Sequence, residues 1–318
     1  MRITGTFLDE ISHDIPHQNW SEAEWAQDFK VMRHIGIDTA IVIRCGYRRW
    51  VTYPSAVLQR EEHSYVPSTD LIAMFLKLAE QHDMKLFFGT YDSGRFWSDE
   101  RYWTTSAFQR DIEVNMKVIE EAWKRYGSSP AFGGWYLSLE VSRRVGSIIQ
   151  VFARLGNHCK DVSGGLPVLI SPYIDGVKAV SQYSPTLSKP ESIGLQEHER
   201  TWNEILHGIQ GAVDILAFQD GHVEYHELEE YLRLNKQLAD RYSMRSWTNV
   251  ESFDRDMPIK FLPIKWEKLR LKLEAAQAAG IEKAITFEFS HFMSPHSAYI
   301  QAHHLYRRYC EYAHIPPT

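Results

Sequence analysis

Phe132-Gly-Gly-Trp-Tyr-Leu-Ser-Leu-Glu140 is an apolar, aromatic-rich run closed by an acid, and it reads as a buried strand with a carboxyl at its end. Ser246-Trp-Thr-Asn-Val-Glu251 repeats the pattern further along the chain. Working outward from these two, similar runs recur at 2–8, 38–44, 85–91, 166–173, 213–218 and 283–289, which with 132–139 and 245–250 makes eight. Their mean spacing of about 40 residues suits repeated strand–helix units in a parallel barrel. The expected fold is therefore α/β, a single (β/α)8 TIM barrel over 1–318, with Glu140 and Glu251 ending its fourth and seventh strands.

The segments between the runs carry helical signals. Ser21 followed by Glu24 is a capping box, Trp25, Phe29 and Met32 form an apolar stripe, and Gly36 stops the helix before the next strand. Further helices are expected over 71–81, 107–126, 227–242 and 266–279, the last ending at Gly280. Long connections at 13–19, 47–68 and 175–197 all follow strand C-termini, the face on which barrel enzymes build their sites. A fourth, 92–106, carries Phe96, Trp97, Tyr102 and Trp103.

Composition removes several classes of function. The chain is 44% hydrophobic and 24% charged with a net charge of -6, as in an ordinary globular protein, and it has no basic run to track phosphates. Nucleic acid is not an expected partner, and no stretch is apolar for long enough to span a bilayer. Cys45, Cys159 and Cys310 show no metal-like spacing and fit a reducing compartment, so the chain reads as cytoplasmic. Phosphate-loop, nucleophile-elbow and Cys-His signatures are lacking.

Side chains on a strand alternate faces, which groups Trp247, Asn249 and Glu251, and likewise Tyr136, Ser138 and Glu140. If both sets point inward, two carboxyls overhang one mouth. Glycosidic cleavage needs such a pair, one protonated to assist the leaving oxygen and one ionised to attack or to activate water. A lone Glu after an apolar strand is ordinarily a helix N-terminal charge, but two on strands four and seven are harder to explain that way. Asp220, in Phe218-Gln-Asp-Gly221, and Glu288 are rival acids on the same rim. Arg44, Tyr91, Tyr173 and His291 are further candidates for contact with a carbohydrate substrate. His222 and His226 stand four apart, a spacing for two metal ligands on one helix face, although the metalloprotease motif is lacking.

Gly5-Thr-Phe-Leu8, Trp25 through Met32 to Gly36-Ile-Asp38, Gly134-Trp-Tyr-Leu-Ser-Leu-Glu-Val141, Phe218-Gln-Asp-Gly221, Trp247-Thr-Asn-Val-Glu251 and Phe289-Ser-His-Phe-Met-Ser-Pro295 spread over nearly the whole chain. In their order these pieces resemble the bacterial family termed domain of unknown function 4434, a glycosidase-like TIM barrel. The resemblance implies a site around Glu140, Asp220 and Glu251. It departs from the large superfamily of retaining barrel glycosidases in one respect, since Leu139 stands where those enzymes usually carry Asn before the acid/base glutamate.

The leading expectation is a glycoside hydrolase that needs no cofactor, with Glu140 as acid/base, Glu251 as nucleophile, and Asn249, Trp247, Asp220 and Tyr173 shaping the sugar site. Two others stay open. One is a metal-dependent sugar isomerase or epimerase using Glu140, Asp220, Glu288 and a histidine; the other is a carbohydrate-binding barrel without catalysis. No residue pattern singles out a sugar, an anomeric configuration or an oligomeric state.

Overall fold

The computed structural model describes residues 1–96, 100–143, 145–180, 192–257 and 261–317. Trp97 and part of the 175–197 connection, residues 181–191, lie outside the described residues.

Eight parallel strands close into a barrel in sequence order. They are β1 (Ile3–Leu8), β2 (Thr39–Val42), β3 (Lys85–Gly89), β4 (Phe132–Leu137), β5 (Val168–Ile170), β6 (Ile215–Gln219), β7 (Arg245–Asn249) and β8 (Lys283–Thr286). The principal helices are α1 (Glu22–His34), α2 (Leu71–Gln81), α3 (Ser106–Tyr126), α4 (Val145–Ser163), α5 (Leu195–Ile209), α6 (Leu228–Arg241), α7 (Trp266–Ala278) and α8 (Ile300–Ala313). Each strand falls on one of the expected runs, most of them shorter at the end that opens into a loop. The sequence reading did not delimit α4, α5 or α8.

Local chemistry accounts for the helix boundaries. The Glu24 carboxylate accepts from both the backbone and the hydroxyl of Ser21, at 2.7 and 2.8 Å, so the capping box forms at the start of α1. Gly36 (φ +97°) and Gly280 (φ +74°) take the left-handed backbone that lets the chain leave α1 and α7 for the next strand.

Alternation along the strands makes two cores. Phe7, Ile41, Phe87, Tyr136, Leu169, Ile215, Trp247 and Ile285 point into the barrel and pack on one another. Their neighbours, among them Leu8, Val42, Phe88, Trp135, Ile170, Phe218 and Ala284, point outward against the helices. Within the strands, this twofold period decides which residues can face the mouth. At that mouth a small three-stranded sheet, Trp50–Val51, Gly46–Tyr47 and Tyr91–Asp92, stands on the loops after β2 and β3. A short helix, Ala56–Glu62, completes the insertion after β2.

Candidate active site

A cavity of about 360 Å³ opens at the C-terminal end of the barrel, within the usual size for a small-molecule site. Both strand-end glutamates reach it. Glu140 lies three residues beyond β4 and Glu251 two beyond β7, and each contributes to the wall.

The two carboxyls are held differently. Glu251 is 2% exposed, and Arg255 grips it with two hydrogen bonds of 2.6 Å, Nε to Oε2 and Nη2 to Oε1. Burial works to raise this carboxyl, but the Arg255 guanidinium, helped by Lys272 and His222, outweighs it and holds Glu251 below the usual range. Gly221 makes the arrangement possible: a Cβ there would overlap both Glu251 Oε2 and Arg255 Nε. Arg255 Nη1 also donates to His222 Nε2 at 3.1 Å, and the His222 ring meets Tyr173 edge-on at 5.6 Å.

Glu140 keeps 21% of its side chain exposed, facing the cavity. Arg44 Nη2 donates to its Oε1 at 3.1 Å, while Nη1 donates to Asp92 Oδ2 at 2.7 Å. Burial by the surrounding walls raises the Glu140 carboxyl to about 6, against the pull of Arg44 and with further push from Asp92 and Asp14. One guanidinium shared between two acids neutralises Glu140 less than the dedicated Arg255 neutralises Glu251.

Of the other residues picked out in the sequence, Arg44, Tyr136, Tyr173 and Asn249 also line the cavity. The Tyr136 hydroxyl and Asn249 Oδ1 are buried there with no hydrogen-bond partner among the described residues. Buried polar groups of this kind find a partner in the bound state or lower stability. Several others do not line it. Trp247 sits lower in the barrel, packed on Phe87 with Lys283 and Arg245 over its ring at 5.0 and 5.8 Å. Tyr91 turns aside and donates its hydroxyl to Arg48 O at 2.7 Å. Asp220 lies behind Glu251, accepting from Lys272 Nζ at 2.7 Å and from the Glu251 backbone N–H at 3.1 Å. Glu288 is fully buried and caps the short helix Phe289–Phe292, bonding the backbone and ring of His291, whose Nε2 contacts Pro16 O at 2.7 Å. Ser138 bonds Thr90 across the strands, because the chain leaves β4 at Leu137 and alternation stops there.

Two expectations of metal binding lose their footing. His222 and His226 lie in a turn, not on a helix, and His226 is exposed. The set Glu140, Asp220, Glu288 and histidine does not converge, since Asp220 is tied to Lys272 and Glu288 to His291. Among the described residues no group of three or more His, Cys, Asp or Glu side chains is gathered as metal ligands would be. Also among the described residues, no helix is long and apolar enough to cross a membrane.

The sequence reading missed Arg255, Gln219, Tyr47 and the aromatic wall of Phe7, Phe253 and Phe287. Gln219 and Phe7 were within reach, since each continues the inward-facing period of its own strand. Arg255 and Phe253 come from the loop after β7, where no period applies.

The family described as domain of unknown function 4434 matches residues 3–299. A solved structure from Bacteroides thetaiotaomicron VPI-5482, described as a "putative alpha-L-fucosidase", superposes with a TM-score of 0.91 at 57% identity, over 99% of this chain and 94% of that one. The endo-1,4-beta-mannanase of Rhizomucor miehei superposes with a TM-score of 0.56 at 11% identity, over 90% and 86% of the two chains. For the endo-1,4-beta-D-mannanase of Thermotoga petrophila RKU-1 the values are 0.52, 10%, 90% and 87%. At 10–11% identity the likeness is one of fold. No match was found among curated proteins. The chain belongs to the domain of unknown function 4434 family, built on a barrel that it shares with glycoside hydrolases.

Proposed function

We propose that the protein hydrolyses an O-glycosidic bond with retention of configuration, Glu140 serving as general acid/base and Glu251 as nucleophile. The observation that carries this reading is the pair of carboxyls on one cavity held in opposite states, one raised to about 6 and one held low. Two acids pushed apart by their surroundings are what acid and nucleophile roles require. The protonated Glu140 gives its proton to the leaving oxygen as a Glu251 oxygen attacks the anomeric carbon. Glu140, now ionised, takes a proton from water, whose oxygen displaces Glu251 and frees the sugar. Tyr136, Asn249 and Gln219 offer hydrogen bonds to sugar hydroxyls, and the rings of Phe7, Tyr173 and Phe287 offer flat walls.

The 57% identical relative makes an aryl α-L-fucoside the first substrate to assay, followed by other aryl glycosides. Glu140→Gln and Glu251→Gln should each lower kcat by about 10²–10⁴-fold while circular dichroism stays unchanged. Near-normal turnover in either variant overturns the assignment. Activity should persist in a chelator; its loss there would favour the isomerase alternative.

A further inference from the structure

The small sheet at the mouth carries a row of side chains that the cavity alone does not use. Its strands run in the order Trp50–Val51, Gly46–Tyr47, Tyr91–Asp92, with Tyr47 in register with Trp50 on one side and Asp92 on the other. Residues in register across neighbouring strands project from the same face. Asp92, Tyr47 and Trp50 therefore form one line that leads outward from the cavity.

The inner end of that line belongs to the site already described. Asp92 takes Arg44 Nη1, and the same guanidinium holds Glu140. Tyr47 in the middle is a cavity wall, stacked on His13 at 5.2 Å with the planes 9° apart. Trp50 at the outer end is 63% exposed. It does not hang free: Tyr65, itself 45% exposed, braces the indole at 4.7 Å, and Arg49 lies 4.4 Å over the Tyr65 ring. Two strand spacings put Trp50 roughly 10 Å beyond Asp92 along the row. Arg48, at the turn between Tyr47 and Trp50, stands at the boundary of the cavity and of a neighbouring groove shared with Arg49, and lines both.

We propose that Trp50 is a distal sugar-stacking site, so that the substrate is a glycan chain running from the Glu140–Glu251 cavity past Tyr47 onto the Trp50 indole. A sugar ring presents an apolar C–H face to such a surface and hydroxyl edges to donors like Arg48 and Arg49. The inference rests on the hydrolase reading for the identity of the inner site, and it adds the length of the substrate.

Affinity electrophoresis of the whole protein in native gels containing fucosylated xyloglucan, galactomannan or xylan tests it. At least one polysaccharide should retard the wild type; Trp50→Ala should weaken the apparent affinity about fivefold, and Trp50→Phe should restore most of it. Melting temperatures of the variants check that the fold is kept. Equal retardation of wild type and Trp50→Ala, or no retardation by any polysaccharide, overturns the proposal. So does a lower mass for Trp50→Ala in light scattering, since a second copy of the chain would then be what covers the ring. Hydrolysis is scored separately. Retardation lost in Trp50→Ala with no sugar cleaved sinks the hydrolase reading and leaves the stacking site; cleavage of aryl glycosides with unchanged mobility does the reverse.

Discussion

At the scale of single residues, the site depends on one missing methyl group. Gly221 follows Asp220 after β6, and its lack of a side chain leaves the space in which Glu251 and Arg255 meet. Gly221→Ala should push the Glu251 carboxylate off its paired position and lower kcat by about 100-fold, the order expected for a misplaced reacting group. Thermal melting alongside kinetics checks this; wild-type kcat in a folded Gly221→Ala protein would mean that Glu251 need not sit where Arg255 holds it. Asp220 stands one step back, its carboxylate given to Lys272 and to the Glu251 backbone, which makes it a support for the nucleophile candidate. Residue type could not separate these roles. Asp220, Glu251 and Glu288 are all acids at strand ends, and what separates them is whether they line the cavity, as Glu251 does, and the cation facing each one: Lys272, Arg255 and His291.

At the scale of elements, one carboxylate gathers four donors where the insertion after β2 meets α3, beside the ion pairs of Glu61 with Lys117 and Glu62 with Arg110. Glu121 on α3 accepts from Tyr53 and Ser55 hydroxyls at 2.9 and 2.5 Å, and from the backbone N–H groups of Ala56 and Val57 at 2.8 and 3.2 Å. It thereby satisfies the free N-terminal donors of the helix Ala56–Glu62, which the chain's own cap at Ser55 meets only in part. Losing charged hydrogen bonds of this kind costs about 1.5–3 kcal/mol each, so Glu121→Ala should loosen the insertion. Hydrogen exchange over residues 46–65 should accelerate well beyond that of the barrel strands; unchanged protection would show that apolar packing and the Glu61 and Glu62 ion pairs hold the insertion without Glu121. The barrel strands were legible because alternation and length announce them. This insertion read only as a long loop, since its two-residue strands are too short for any period.

At the scale of the whole molecule, the first and last units of the barrel are joined through a buried acid. Asp28 on α1 accepts from Ser290 at 2.8 Å and from Ser294, both following β8. Burial raises its carboxyl to about 7, against the help of the two serines. The folded form thus binds a proton that the unfolded chain releases above its ordinary value of 3.8. Its contribution to stability is full below that value and is lost as pH rises towards 7. The difference in unfolding free energy between wild type and Asp28→Asn should therefore shift against the wild type between pH 4 and pH 7. Urea denaturation at both pH values measures it, and a difference independent of pH would show that Asp28 keeps an ordinary titration.

The sequence by itself determined the barrel and the two mouth glutamates. Strand periodicity is local, and closing eight parallel strands leaves little choice about which ends share a face. It also placed Arg44, Tyr136, Tyr173 and Asn249 near the cavity that they line. What only the tertiary structure decided was the state and company of each acid: Arg255 on Glu251, a shared Arg44 on Glu140, Lys272 on Asp220, and Trp247 withdrawn below the mouth. Those partners come from a loop without periodicity, from a helix, or from strands far apart in sequence. A carboxyl's charge is set by whatever surrounds it in space, and no local pattern along the chain records that.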